Sequence, residues 1–342
     1  MARQDRLNLI RELEALRGAR ILVAVWGDRI NHATIIASDA HAVFFQHLEQ
    51  IGKVPKIEVL LYTTGGQTLA AWGLANLVRE YCDELAVLIP HRALSAGTLF
   101  TLAANEIVMT RLGQLSPIDP SINSPLGPSV QIAQQPGASQ LVPISVEDVV
   151  GFVDLAKKEA GLKEERSILT VFDRLSAQVH PLALGAVYRT REQIKTLADR
   201  LLSFHMKGNK QKEERARIVT RLTRELGSHD YLIGRTEAKN LLKLNVIDVS
   251  PEVEAKLKML FEEYSSLLEL GTPYNAQGFL GAEQRKVGTF PRAVVETTDQ
   301  TTVFETKKEV TRLQIQQPGL PAPMPFIQEN VSFEGWRLDE TL

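Results

Sequence analysis

The sequence predicts an α/β protein, with a parallel-sheet core and flanking helices followed by a helical extension and an irregular C-terminal tail. Two observations carry that reading. Runs such as Ile21-Leu-Val-Ala-Val-Trp26 and Leu85-Ala-Val-Leu-Ile89 are apolar without interruption, as strands covered on both faces are. They alternate with segments whose apolar residues recur at helical spacing, and strand–helix–strand alternation implies parallel pairing through crossover helices.

The elements follow in order. Leu7, Leu9, Ile10, Leu13 and Leu16 mark an N-terminal helix within residues 1–20, and a buried strand runs from Arg20 to Trp26. A helix is expected over 39–51, a strand over 56–62, a helix over 68–82, a strand over 84–89, a helix from about 95 to 104 and a short strand over 106–109. The composition then shifts to Pro, Gly, Gln and Ser, so 123–145 reads as a loop or flap. Residues 146–270 are mostly helical, with breaks at Gly161, His180-Pro181, Gly208 and Gly227. The expected organisation is a helix over 1–20, a main domain over 21–250, a helical extension over 251–280 and a β or irregular tail over 281–342. The tail is rich in Thr, Val, Phe and Pro but lacks the alternation that would assign it a second core.

Composition excludes several classes. With 342 residues, 44% hydrophobic and 23% charged, the chain can bury a sizeable core without staples. Cys82 is the only cysteine, which rules out an intramolecular disulfide and a multi-cysteine zinc site and suits a reducing compartment. The first 20 residues contain no continuous apolar stretch of the signal-peptide kind, and no run approaches the ~20 residues that cross a bilayer. A cytoplasmic, soluble protein with no membrane partner is expected. A net charge of −2 supplies no general attraction to nucleic acid. Lys207–Glu225 holds seven Lys or Arg against three Glu, but no aromatic platform interleaves with them, so the stretch reads as a solvated face. His32, His41 and His47 form no metal-ligand spacing, no nucleotide-binding loop is present, and neither metal nor cofactor is expected.

The chemistry concentrates in two loops. Leu60-Leu-Tyr-Thr-Thr-Gly65-Gly66-Gln67 ends a strand in two glycines, whose N–H groups are free to face a bound oxyanion. By itself this is also a tight strand-to-helix turn. Ile89-Pro-His-Arg-Ala-Leu-Ser95-Ala96-Gly97 places a serine at the start of an apolar helix, where its hydroxyl is exposed and the following N–H groups point at charge developing beside it. Serine in that position also serves as a helix cap.

Strand, Gly-Gly, helix, strand, Ser-Ala-Gly, helix and strand, followed by Leu112-Gly-Gln-Leu-Ser-Pro-Ile-Asp119-Pro, resembles the Clp peptidase and crotonase superfold. More closely, the chain is similar to the serine dehydrogenase proteinase family over roughly Ile21 to Val249. The resemblance implies a serine peptidase that acts on polypeptides or peptides, with Ser95 as nucleophile and the oxyanion held at Gly65, Gly66 and Ala96. Clp peptidases place their histidine soon after the serine, yet no histidine lies between His91 and His180 here. A Ser, Asp, His order therefore fits Ser95, Asp119 and His229, since triads are defined by geometry rather than chain order. Asp119 sits between Pro117 and Pro120 in stiffened backbone, and His229 follows Gly227-Ser228 on a loop. Three rivals remain open: a serine–lysine dyad using Lys157, Lys158 or Lys207, a crotonase-type acyl-CoA enzyme, and a catalytically silent scaffold. Related folds bury helical arms between subunits, so a homo-oligomer is expected.

Overall fold

The structure, a computed structural model, describes residues 3–118, 121–122, 125–131, 139–142, 144–315 and 324–339. The chain forms two compact units, residues 1–116 together with 232–342, and residues 117–231.

In the first unit, α1 (Arg3–Arg17) leads into β1 (Arg20–Trp26), α2 (Ala40–Ile51), β2 (Val54–Tyr62), α3 (Thr68–Glu80), β3 (Cys82–Ile89), α4 (Ala96–Thr101) and β4 (Glu106–Met109). The α/β class and the predicted order of strands and helices are borne out. An eight-stranded sheet runs Val246–Ile247, β4, β3, β2, β1, Arg285–Glu296, Thr301–Ile315, Met324–Leu338. Its first five strands are parallel, with Val23 opposite Leu60 and Val59 opposite Val87. From β1 onward the C-terminal strands join antiparallel.

Three strands within the stretch expected to form a β or irregular tail thus extend the main sheet. Their pattern concealed this because the last strand is exposed along almost its whole length and the ends of the two strands before it are only partly covered. No single buried face imposes an alternation there.

One face of the sheet is covered by α1 and helix Pro251–Leu267, which bring Leu7, Ile10, Leu13, Leu257 and Leu260 onto Ile21, Val23, Val25 and Leu60. On the other face Trp26 stacks on Phe44 of α2 at 6.1 Å. The buried carboxylate of Glu296 joins distant segments: it accepts from Arg6 Nε at 2.9 Å, from Thr301 Oγ1 at 2.5 Å and from the Tyr264 hydroxyl.

Beyond the C-terminal ends of the parallel strands the connecting loops stay side by side. Thr63 N–H donates to Arg92 O (2.9 Å), Leu94 N–H to Thr63 O (3.0 Å) and Ala93 N–H to Gln114 O (2.9 Å). This short ladder carries both motifs, and it lies where open α/β sheets place their ligand sites.

The second unit is largely helical, with Val146–Asp154, Glu165–Gln178, Pro181–Leu202 and Asn209–Thr220. Ile144, Val146, Ala183 and Val187 form one of its buried clusters. His180 caps the helix Pro181–Leu202, its Nδ1 accepting from Leu182 N–H at 3.2 Å. Ser129–Gln131 pairs with Ser139–Leu141 inside the stretch expected to be a flap, and much of the rest of that stretch lies outside the described residues. Among the described residues no helix is long and apolar enough to cross a membrane.

Candidate active site

Ser95 stands at the N-cap position of α4, yet its side chain makes no cap hydrogen bond. Its backbone is at φ 49°, ψ −109°, a region that non-glycine residues rarely occupy. Serine held at positive φ between a strand and a helix resembles the strained turn that lifts a nucleophilic hydroxyl out of the backbone. The competing reading of Ser95 as a plain helix cap therefore has no hydrogen bond to support it.

The two glycines sit against this serine for separate steric reasons. A Cβ on Gly65 would lie 3.0 Å from Ser95 Cβ and 3.5 Å from Ser95 Oγ, so the Gly-Gly turn and the serine are in direct contact. A Cβ on Gly66 would lie 2.2 Å from the carbonyl oxygen of Ile36, and both glycines have positive φ, 126° and 149°. Gly97 is small for a third reason, since a Cβ there would be 2.5 Å from the Thr63 methyl group.

Hydrogen bonding separates the candidate donors. Gly65 N–H donates to Thr63 Oγ1 at 2.9 Å, and Ser95 N–H donates to the Ser116 hydroxyl at 2.7 Å. Both are already engaged. The N–H groups of Gly66 and Ala96 have no hydrogen-bond partner among the described residues. An unengaged hydroxyl with two uncommitted N–H donors on the segments beside it is suited to attack a carbonyl and stabilise the resulting oxyanion. Gly65 contributes close approach to the serine rather than a free donor.

Ser116, Thr63 and Ile36 were not picked out by sequence reasoning. Ser116 is 3% exposed and is held in turn by its own N–H, which donates to Thr98 Oγ1 at 3.0 Å. The only sequence signal for Ser116 was its place in Leu115-Ser-Pro117, just before the proposed Asp119. Ile36, 30 residues from Gly66 and without any motif, could not have been found that way.

Around the ladder lies a small polar group. Asp28 accepts from the Tyr62 hydroxyl at 2.7 Å and from Arg92 Nη1 at 2.8 Å. Burial, then the hydrogen bond to Asp28, raises the Tyr62 pKa. His91 packs against Tyr62 and Phe261, at centroid distances of 5.9 Å each. Burial lowers its pKa, and the neighbouring Arg92 lowers it further.

Ser95, Gly65, Gly66 and Ala96 belong to the first unit and are brought together; His229 belongs to the second. Asp119 lies outside the described residues. His229 lines a cavity of about 1020 Å³ within the second unit, along with Asp148, Asp154, Lys158, Arg224 and Asp230. Two π-helical turns, Leu155–Glu159 and Arg221–Glu225, contribute to its wall. Such turns are rare and frequent at functional sites. Asp154 accepts from Arg224 Nη2 at 2.7 Å and from Lys158 at 2.9 Å, and these bonds, Lys158 first, hold its carboxyl below the ordinary carboxylate range. Lys158, one candidate for a serine–lysine dyad, is thereby engaged in an exposed ion pair.

Residues 1–166 match the family described as ClpP-like SDH-type serine proteinase, which bears out the resemblance read from the three motifs. Two uncharacterized proteins of the archaeon Methanocaldococcus jannaschii are also similar. One is 26% identical over 268 residues, covering 76% of this chain and 76% of its own length. The other is 26% identical over 272 residues, covering 76% of this chain and 78% of its own. The family match supports a serine peptidase in general.

Proposed function

We propose, on the premise that residues 1–166 match the ClpP-like SDH-type serine proteinase family, that this protein hydrolyses peptide bonds through an acyl-enzyme on Ser95. The observation that carries the reading is Ser95 itself, uncapped, at positive φ and pressed against Gly65. Ser95 Oγ attacks the scissile carbonyl. Gly66 N–H and Ala96 N–H donate to the oxyanion, the role for which they are uncommitted. His229 takes the serine proton and returns it to the leaving amine, and Asp119 orients the imidazole. Support for His229 is its place on the wall of a cavity flanked by two π-helical turns. The substrate is a peptide or an unfolded polypeptide. The proposal includes a homo-oligomer and a cytoplasmic site of action, in keeping with a single free cysteine.

Fluorophosphonate labelling followed by peptide mass spectrometry tests the nucleophile whatever the substrate is. The probe should mark Ser95, and Ser95→Ala should abolish both labelling and peptide hydrolysis while the thermal melt remains cooperative. His229→Ala should slow labelling nearly as far. A folded Ser95→Ala protein with wild-type turnover refutes the mechanism. A His229→Ala enzyme at full rate moves the base elsewhere, and a lysine variant that then loses activity identifies the dyad.

A further inference from the structure

The loop of residues 27–36 that leaves β1 has few apolar anchors. Ile36 and His32 are buried in it, but Ile30 is 61% and Ile35 49% exposed. Its far end nevertheless forms the floor under the Gly-Gly turn. Ile36 N–H donates to Gly65 O at 2.9 Å, and Gln67 N–H donates to Ile36 O at 2.8 Å, so the Gly66 peptide is held between two hydrogen bonds to Ile36. The steric closeness of Gly66 to the Ile36 backbone leaves no slack in this seat. Wherever Ile36 moves, Gly66 N–H follows.

Arg292, on the strand Arg285–Glu296, holds this loop. Its Nε donates to His32 O at 3.3 Å and its Nη2 to Ala33 O, while its backbone carbonyl accepts from Gly27 N–H at 2.8 Å. The other side of the guanidinium is fixed by Thr306 Oγ1 at 3.1 Å and by Glu334 at 2.7 Å, residues of the second and third C-terminal strands. Its side chain is only 17% exposed. A planar fork that spans two adjacent carbonyls and a carboxylate is a geometry lysine does not reproduce.

We infer that Arg292 is a positioning residue for the oxyanion donor: it transmits the placement of the C-terminal strands through His32, Ala33 and Ile36 to Gly66. This rests on the proposed role of Gly66. Residues 285–338 lie outside the part of the chain that matches the family, so they add a control on the site that the matched region does not itself contain. A displacement of an active-site group by about 1 Å is enough to cost roughly 100-fold in rate.

The test compares wild type with Arg292→Gln and with Glu334→Gln, which loosens the guanidinium from a more exposed position. Hydrogen exchange should accelerate at the amides of Ile36 and Gln67 in both variants while the amides of β1 and β2 remain protected. Fluorophosphonate labelling of Ser95 should slow by roughly tenfold or more, and kcat on a fluorogenic peptide should fall with little change in KM. Unchanged exchange overturns the clasp. Accelerated exchange with an unchanged labelling rate overturns the link to Gly66. Absence of Ser95 labelling in the wild type overturns the nucleophile reading, and the exchange data still report whether Arg292 holds the loop.

Discussion

Ser95 is held at a positive φ that a side chain disfavours, and the surrounding bonds explain how the conformation persists. Its amide is fixed by buried Ser116, the preceding Leu94 is laddered to Thr63, and Gly97 N–H closes on Leu94 O at 2.8 Å. Strain of this kind costs about 1–3 kcal/mol and is retained where the geometry is used. Glycine has no such penalty. Ser95→Gly and Ser95→Ala should both be inactive, but Ser95→Gly should melt at the higher temperature, by an amount corresponding to about 1 kcal/mol. Equal melting temperatures would mean that Ser95 carries no stored strain. At this scale the sequence was informative for the motif residues, because Gly65, Gly66 and Ser95 stand in local patterns. It was silent on Ser116 and Ile36, whose roles depend on contacts with residues far along the chain.

At the scale of single elements, helix Glu165–Gln178 departs most clearly from the behaviour of a buried amphipathic helix. Ile168, Phe172 and Leu175 share one stripe by their i, i+4, i+7 spacing, yet none of the residues of the helix is buried. Leu169 is 58% and Phe172 51% exposed. This partly exposed apolar stripe is the surface that the proposed oligomer covers. In the proposed oligomer its occupant is a second copy of this chain. Light scattering at micromolar concentration should give a multiple of 38.0 kDa, and Leu169→Glu with Phe172→Glu should shift the mass downward. A wild-type monomer would refute the assembly and leave the chemistry untouched.

Across the molecule, buried polar groups tie the C-terminal strands to the parallel core, and this makes stability depend on pH. His47 of α2 is fully buried, its Nε2 3.0 Å from Thr302 Oγ1, and burial lowers its pKa to about 4. His32 is lowered to about 4 as well, by burial first and then by Lys308, Arg292 and Arg29. In the unfolded chain a histidine takes up its proton near pH 6.5. As pH falls from about 6.5 to about 4, the unfolded state therefore binds protons that the folded state refuses, and stability is lost across that window, by at most about 3 kcal/mol per histidine. Above pH 6.5 both states are neutral and the effect vanishes. The melting temperature should thus decline between pH 6.5 and 4, and His47→Gln should flatten the decline. A wild-type profile that is level over this window would mean that these histidines are protonated in the folded state.

The order of strands and helices, the parallel core and the two loops that carry Gly65-Gly66 and Ser95 were legible in the sequence alone. Each is written in short-range patterns: continuous apolar runs, helical spacing and punctuating glycines. Tertiary structure decided which donors are free, because only the fold places Thr63 Oγ1 on Gly65 and Ser116 Oγ on Ser95, leaving Gly66 and Ala96 uncommitted. It also decided that Arg285–Glu296, Thr301–Ile315 and Met324–Leu338 continue the sheet, and that Arg292 reaches a loop 259 residues earlier at Ala33. Hydrogen bonds between such distant residues leave no periodicity behind, since their specificity lies in the positions of single atoms, and those positions exist only once the chain has folded.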